Sequence, residues 1–221
     1  QGVLAQSSGR TMEAFDLLRH ARALDPTDPA IAFMLGGNYA QQGMSDRALS
    51  LLEEAYGADS TNLTYARALS AGYIEAGRMQ DALRINERLS EADPEDDDVR
   101  YRLIQLYART GELKKGIQLA TELQKRFRPM PEAYGQLTKM KIQLLALSKD
   151  SVAVGREYRA WAALYPEDRR PYYDWILHLF QTGGAKEAEK QLTSDVRAGR
   201  ISSGDATALR VHKYILQKDY P

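Results

Sequence analysis

The chain contains no cysteine. That excludes a disulfide framework, a thiolate zinc site and a cysteine nucleophile. It leaves the compartment open, because cysteine-free chains occur in reducing and oxidising surroundings alike. Charge of one sign is also missing: 30 Lys and Arg balance 30 Asp and Glu, for a formal net charge of zero. This argues against a general nucleic-acid binder, which carries a basic excess, and against a polybasic membrane-surface protein. No run approaches the roughly 18 consecutive apolar residues that a membrane span requires. Histidine is scarce. His20, His178 and His212 stand apart, with no ligand partner at a metal-binding spacing. There is no G-x-S-x-G, phosphate loop or dinucleotide glycine pattern. No catalytic residue, metal site or cofactor follows from the sequence, and it reads as a non-enzyme. The first residue is Gln1, with no charged-then-apolar leader. The expectation is a segment whose upstream residues or export signal have been removed. It leans to a bacterial periplasm or envelope, with the cytoplasm as the alternative.

What is present is a folded composition, 43% hydrophobic and 27% charged, and a period. Leu35, Leu69 and Leu103 step by 34 residues, as do Tyr39, Tyr73 and Tyr107. Gly9, Gly43, Gly77 and Gly111 keep the same step, and so do Ala14, Ala48, Ala82 and Gly116. Within a period, Ile31, Leu35 and Tyr39, then Ala48, Leu52 and Ala55, fall at helical spacing. Each period predicts two helices with a glycine turn between them. One such hairpin cannot bury its apolar face alone, so neighbours must stack to make the core.

These columns resemble the tetratricopeptide repeat (TPR) family. Residues 29–62 fit best, through Leu35, Gly36, Tyr39, Gly43, Ala48, Leu52 and Ala55. The 63–96 unit departs at Asn86, where an apolar residue is usual. The resemblance implies an all-α fold, a right-handed superhelical solenoid of antiparallel helix pairs closed by a C-terminal capping helix. The expected organisation is a single solenoid over 1–221, with units 1–28 (partial), 29–62, 63–96, 97–130, 131–168 and 169–202, and a last helix in 203–221. The 131–168 unit is four residues longer than the others. Leu137, Met140, Leu144 and Leu147 continue the helical spacing. This predicts a first helix about one turn longer, ending near Ser148-Lys149-Asp150, with a looped insertion as the alternative. The tail reads as an amphipathic cap. Ser203 or Asp205 would cap its start, and Leu209, His212 or Lys213, and Leu216 recur along it.

The family lines its inner groove with first helices. Carried over position by position, that implies Phe33, Met34 and Gly37, then Arg67, Ala71, Ile74 and Glu75, then Tyr101, Arg102, Gln105 and Arg109. Gln136, Lys139 and Gln143 follow, then Arg170, Tyr173, Leu177 and Phe180. Arg67, Tyr101, Arg102, Gln105, Arg109 and Lys139 form the central set. Arginine takes a carboxylate or phosphate through two hydrogen bonds, so an acidic or phosphorylated segment, or a chain terminus, is the expected partner class. Tyr173, Leu177 and Phe180 are expected to anchor a peptide, unless the terminal helix covers them or copies self-associate through them. The acidic stretch 91–98 is expected to cap a helix. The basic stretch 100–128, with eight Lys or Arg and two Glu, would favour an anion. Together these point to a non-enzymatic scaffold that binds a peptide or protein segment in its concave groove. The alternatives are a structural assembly or spacer segment of a larger envelope complex, and a recruiting module of a larger enzyme.

Overall fold

Proline or an Asx residue opens most of the first helices, and a left-handed glycine ends most of them. In the structure, a computed structural model that describes the backbone of residues 2–217 and the side chains of 13–212, these signals mark off twelve α-helices among the described residues. They are α1 (Gly2–Leu24), α2 (Pro29–Gln41), α3 (Ser45–Ala58), α4 (Leu63–Glu75), α5 (Met79–Ala92) and α6 (Asp97–Thr110). Then come α7 (Leu113–Arg126), α8 (Pro131–Leu147), α9 (Ser151–Leu164), α10 (Arg170–Gln181), α11 (Ala185–Arg197) and α12 (Ser203–Gln217). The chain forms two compact units, residues 1–116 and 117–221, which meet within α7. Inside each unit consecutive helices pack on one another in antiparallel order. The fold is all-α, a repeat of helix pairs. None of the described helices is long and apolar enough to cross a membrane.

Within the acidic stretch, Asp96 caps a helix. Asp28, Asn62, Asp96 and Asp150 each accept backbone N–H groups at the start of a helix, which satisfies donors that the helix cannot. Gly43, Gly77, Gly111 and Gly183 hold φ between +73° and +83° at the turns, a region that side chains with a Cβ disfavour. The α8–α9 turn has no glycine, and Lys149 takes the left-handed role at φ 62°. Helix α8 has 17 residues, against 12 to 14 in α2, α4, α6 and α10. The extra residues therefore extend the helix by a turn and insert no loop.

Gly9 departs from its column. It lies inside α1, one continuous helix from Gly2 to Leu24. Glycine accepts helical φ as readily as left-handed φ, so a turn at that column needs more than the glycine.

Packing follows the period. Leu35, Leu69 and Leu103 are buried, and so are Ala48 and Ala82. Between the helices of a pair the contact is matched in size. A Cβ on Gly36 would sit 3.0 Å from Leu52 Cγ. One period later the same two places hold Ser70 and Asn86, both fully buried. Asn86 Nδ2 donates to Ser70 Oγ at 2.5 Å and to the Ala82 carbonyl at 2.7 Å. The polar residue at 86 is thus accommodated by a hydroxyl where the other unit has a glycine.

A second repeated feature joins neighbouring pairs. Tyr107 donates to Glu87 at 3.0 Å, and Lys115 Nζ lies 3.1 Å from the same oxygen. One period earlier Tyr73 bonds Glu53, and Arg78 bonds Glu53 at 2.8 Å while lying over the Tyr73 ring. Burial, and then the bond to Glu87, push the Tyr107 phenol up to about 12. Burial raises Tyr73, Tyr101, Tyr134, Tyr158, Tyr165 and Tyr173 as well. A phenol raised by folding supplies stability that is full below its unfolded pKa of about 10 and is lost as pH climbs through the folded value. Urea midpoints are therefore expected to hold up to about pH 10 and to fall towards pH 12. Tyr107→Phe should reduce the steepness of that fall. An unchanged slope in the variant would remove Tyr107 from the explanation.

In residues 117–221 two clusters of buried apolar residues stand out among the described residues. Ile142, Leu145, Val154, Tyr158 and Trp161 make one. Ile176, Leu179, Phe180, Ala188, Leu192, Ile201, Ala206 and Leu209 make the other. The second includes α12, whose start is capped by Ser202 and not by Ser203. Asp205 N–H donates to Ser202 Oγ at 3.1 Å, and the Ser202 hydroxyl donates back to the Asp205 carboxylate. Leu209 is buried in this core, while His212 is exposed. The Lys213 and Leu216 side chains lie outside the described residues. The overall zero charge divides unequally: residues 1–116 hold 13 Lys or Arg and 18 Asp or Glu, and residues 117–221 hold 17 and 12.

Candidate functional site

In the first unit, α2, α4 and α6 carry the expected inner residues. Phe33 is half-buried, with its ring 5.1 Å from that of Tyr65, and Met34 is half-exposed. Arg67 has a partner within the chain and remains 41% exposed at its side chain. Its guanidinium pairs with Asp96, the residue that also caps α6. Burial works against that carboxylate, but the Val99 N–H and then Arg67 outweigh it and hold Asp96 below its usual value. The capping residue of one helix thereby engages a cation of the helix before it.

Helix α6 differs. Tyr101 and Arg102 are half-buried, and Gln105 and Arg109 are exposed. Burial, then Asp97, raises the Tyr101 phenol. Arg102, Gln105 and Arg109 lie at i, i+3 and i+7 on one helix face. Among the described residues none of the three side chains has a hydrogen bond or ion pair within the chain. Two guanidinium groups and an amide are thus presented without internal partners, a donor-rich strip about two turns long.

In the second unit the inner face is neutralised from within. Lys139 Nζ lies 2.8 Å from Asp174 and over the Trp161 ring. Arg170 binds Asp168 at 2.9 Å and Glu132 at 2.6 Å. Tyr173, Leu177 and Phe180 do not stand open either. Phe180 is 4% exposed, and Tyr173 and Leu177 are half-buried against the same core as Ala206 and Leu209 of α12. The Tyr173 hydroxyl donates to Asp205. The terminal helix therefore covers this stretch, because three apolar groups on one face bury more area under a helix than in water.

The structure thus brings Arg102, Gln105 and Arg109 together and withdraws Arg67, Lys139, Tyr173, Leu177 and Phe180 into internal contacts. Lys125, Arg128, Arg156 and Arg159 are among several cations outside the expected set that lack an ion pair among the described residues. They sit on α7, just beyond it, and on α9, which are second helices. A reading that carries over only first-helix positions passes over them. No group of three or more His, Asp or Glu that could hold a metal occurs among the described residues.

A family model of the tetratricopeptide repeat matches residues 5–72 and 73–139. No curated protein sequence is significantly similar to the chain. Among solved structures, YrrB, a TPR protein with an unusual peptide-binding site, is 16% identical, with 74% of this chain and 82% of that one covered at a TM-score of 0.60. MamA AMB-1 is 22% identical over 72% of this chain and 91% of that one, TM-score 0.58. MamA MSR-1 is 20% identical over 75% and 93%, TM-score 0.56. At these identities the likeness concerns the fold alone.

Proposed function

Because the chain belongs to the tetratricopeptide repeat family, whose domains are typically protein–protein interaction modules, we propose that its first unit binds an acidic peptide segment along α2, α4 and α6. The observation that supports this is the strip Arg102, Gln105 and Arg109, which has no partner inside the chain. Arg102 and Arg109 lie two turns apart with Gln105 between them, so an extended segment running along α6 can meet all three. A carboxylate offers each a two-point bond. Half-exposed Met34 on α2 adds an apolar contact. A relative in fold, YrrB, also has a peptide-binding site, which is consistent with this class of ligand. No enzyme chemistry is needed, and the proposed role is that of a scaffold.

The test is a peptide array of acidic segments with free or amidated C-termini, probed with the full chain. Replacing Arg102 and Arg109 together by alanine should weaken the captured peptides by about tenfold or more, since each charge-assisted bond contributes about 1.5–3 kcal/mol. Helicity and melting should not change, because neither side chain bonds within the fold. If the double variant captures the same peptides equally well, the strip is not the site.

A further inference from the structure

The second unit carries a cavity that the reading above does not use. It has a volume of about 280 Å³ and is lined by Thr121, Gln124, Lys125 and Arg128 from α7 and the turn after it, by Tyr134 of α8, and by Ala160 and Leu164 of α9. Its floor is fixed. Gln124 is buried, donating to Thr138 at 2.8 Å and to Glu157 at 3.4 Å, and accepting from Lys141 at 3.2 Å. The Tyr165 hydroxyl donates to the Arg128 carbonyl, and its ring packs edge-on against Tyr134. The segment that carries Arg128 is therefore held in place.

The charges around this cavity are unbalanced. Lys125 and Arg128 line it without an ion pair, and Arg156 lies one helical turn before Ala160 on the same stripe of α9, also unpaired. The carboxylates of α7 and α9, and the one that caps α9, are engaged elsewhere. Glu157 is 2.7 Å from Lys141, Asp150 caps α9, and Glu122 has a contact of its own. A basic residue in the last turn of a helix complements the helix dipole, and that accounts for Lys125. It does not account for Arg128, which follows the helix, or for Arg156 within α9. This contrasts with the inner face of the same unit, where Lys139 and Arg170 are both matched by carboxylates.

We propose that this cavity on the second-helix side is a separate binding site for an acidic protein segment that inserts one apolar side chain. Cations from two adjacent helices match a chain with several carboxylates better than one small anion. The Ala160 and Leu164 wall and the Tyr134 ring take the apolar group, and Ala160 leaves it room.

The test uses a fluorescein-labelled peptide of Glu and Asp around one central Phe, with the full chain at physiological ionic strength. The background is the Arg102→Ala, Arg109→Ala variant, so that loss of the first-unit strip and loss of this cavity are read separately. Anisotropy should show binding to the background chain. Arg128→Glu with Arg156→Glu should weaken it by about tenfold or more. Ala160→Phe, at an exposed helix position, should do the same by filling the cavity without changing charge. Replacing the central Phe of the peptide by Ser should also weaken it. The proposal fails if the background chain does not bind the peptide. It fails if only the charge reversals matter, because that is diffuse attraction. It also fails if inorganic phosphate, a duplex oligonucleotide or phosphatidylserine vesicles compete equally at the same ionic strength.

Discussion

Trp161→Ala is expected to cost the second unit about 3–5 kcal/mol, the range for truncating a fully buried aromatic. Trp161 has no exposed surface and lies at the centre of the cluster of Ile142, Leu145, Val154 and Tyr158. Its size is built into the neighbouring helix: a Cβ on Gly135 would come within 2.7 Å of Cζ2. An alanine therefore leaves a void that α8 has no side chain at 135 to fill. The indole N–H also donates to Asp168 at 3.1 Å, but Asp168 keeps its bonds to Arg170. Trp161→Phe should thus cost far less than alanine, with about 1 kcal/mol of its loss from the missing hydrogen bond. Both tryptophans of the chain, Trp161 and Trp175, lie in the second unit. Urea unfolding followed by Trp175 emission reads that unit directly. A loss below about 1 kcal/mol for alanine would show that the site collapses and that the ring is not its keystone.

Asp195→Ala is the second large effect. Asp195 is fully buried near the end of α11. Arg200 bonds it through Nε at 2.8 Å and Nη2 at 2.7 Å, and Gln191 Nε2 approaches both carboxylate oxygens at 3.1 and 3.2 Å. Removing one partner of a buried pair typically costs about 3–5 kcal/mol, because the other is left uncompensated. Arg200 is 37% exposed at its side chain, so it recovers some solvation, and the loss should fall near 3 kcal/mol. The same bond ties the turn after α11 to that helix, and Arg200 also lies over Tyr172. Hydrogen exchange of residues 198–202 should therefore accelerate in the variant. If denaturation midpoints and exchange both match the parent chain, the carboxylate carries no such weight.

The fold was legible because packing obeys a period. Leu35, Leu69 and Leu103 recur since each fills the same place between stacked pairs, and the spacing through Leu147 foretold the longer α8. Gly9 misled because a glycine permits a turn without enforcing one. Asn86 stood out as a departure, yet its partner Ser70 was hidden 16 positions away until the two helices were folded together. The site was less legible for a related reason. Inner-face positions follow from the repeat, but whether a cation there is open depends on pairings between helices and turns. Arg67 meets Asp96 across 29 residues, and Lys139 meets Asp174 across a helix pair. Nothing in the local sequence of either marks the pairing. Burial of Phe180 by α12 was one of the outcomes anticipated, and only the packed tail selects it.

The matched contacts within helix pairs have a consequence for how the chain finds its native arrangement. Near-identical hairpins invite slippage by one repeat, a characteristic misassembly of repetitive chains. Here α4 in the place of α2 against α3 would set the Ser70 hydroxyl against Leu52, stranding a polar group. Helix α2 laid on α5 would put Gly36 opposite the Asn86 amide, with neither bulk nor hydroxyl to receive it. These two hairpins thus have different locks and keys where their helices meet, and a wrong register between them forfeits either a hydrogen bond or a filled space.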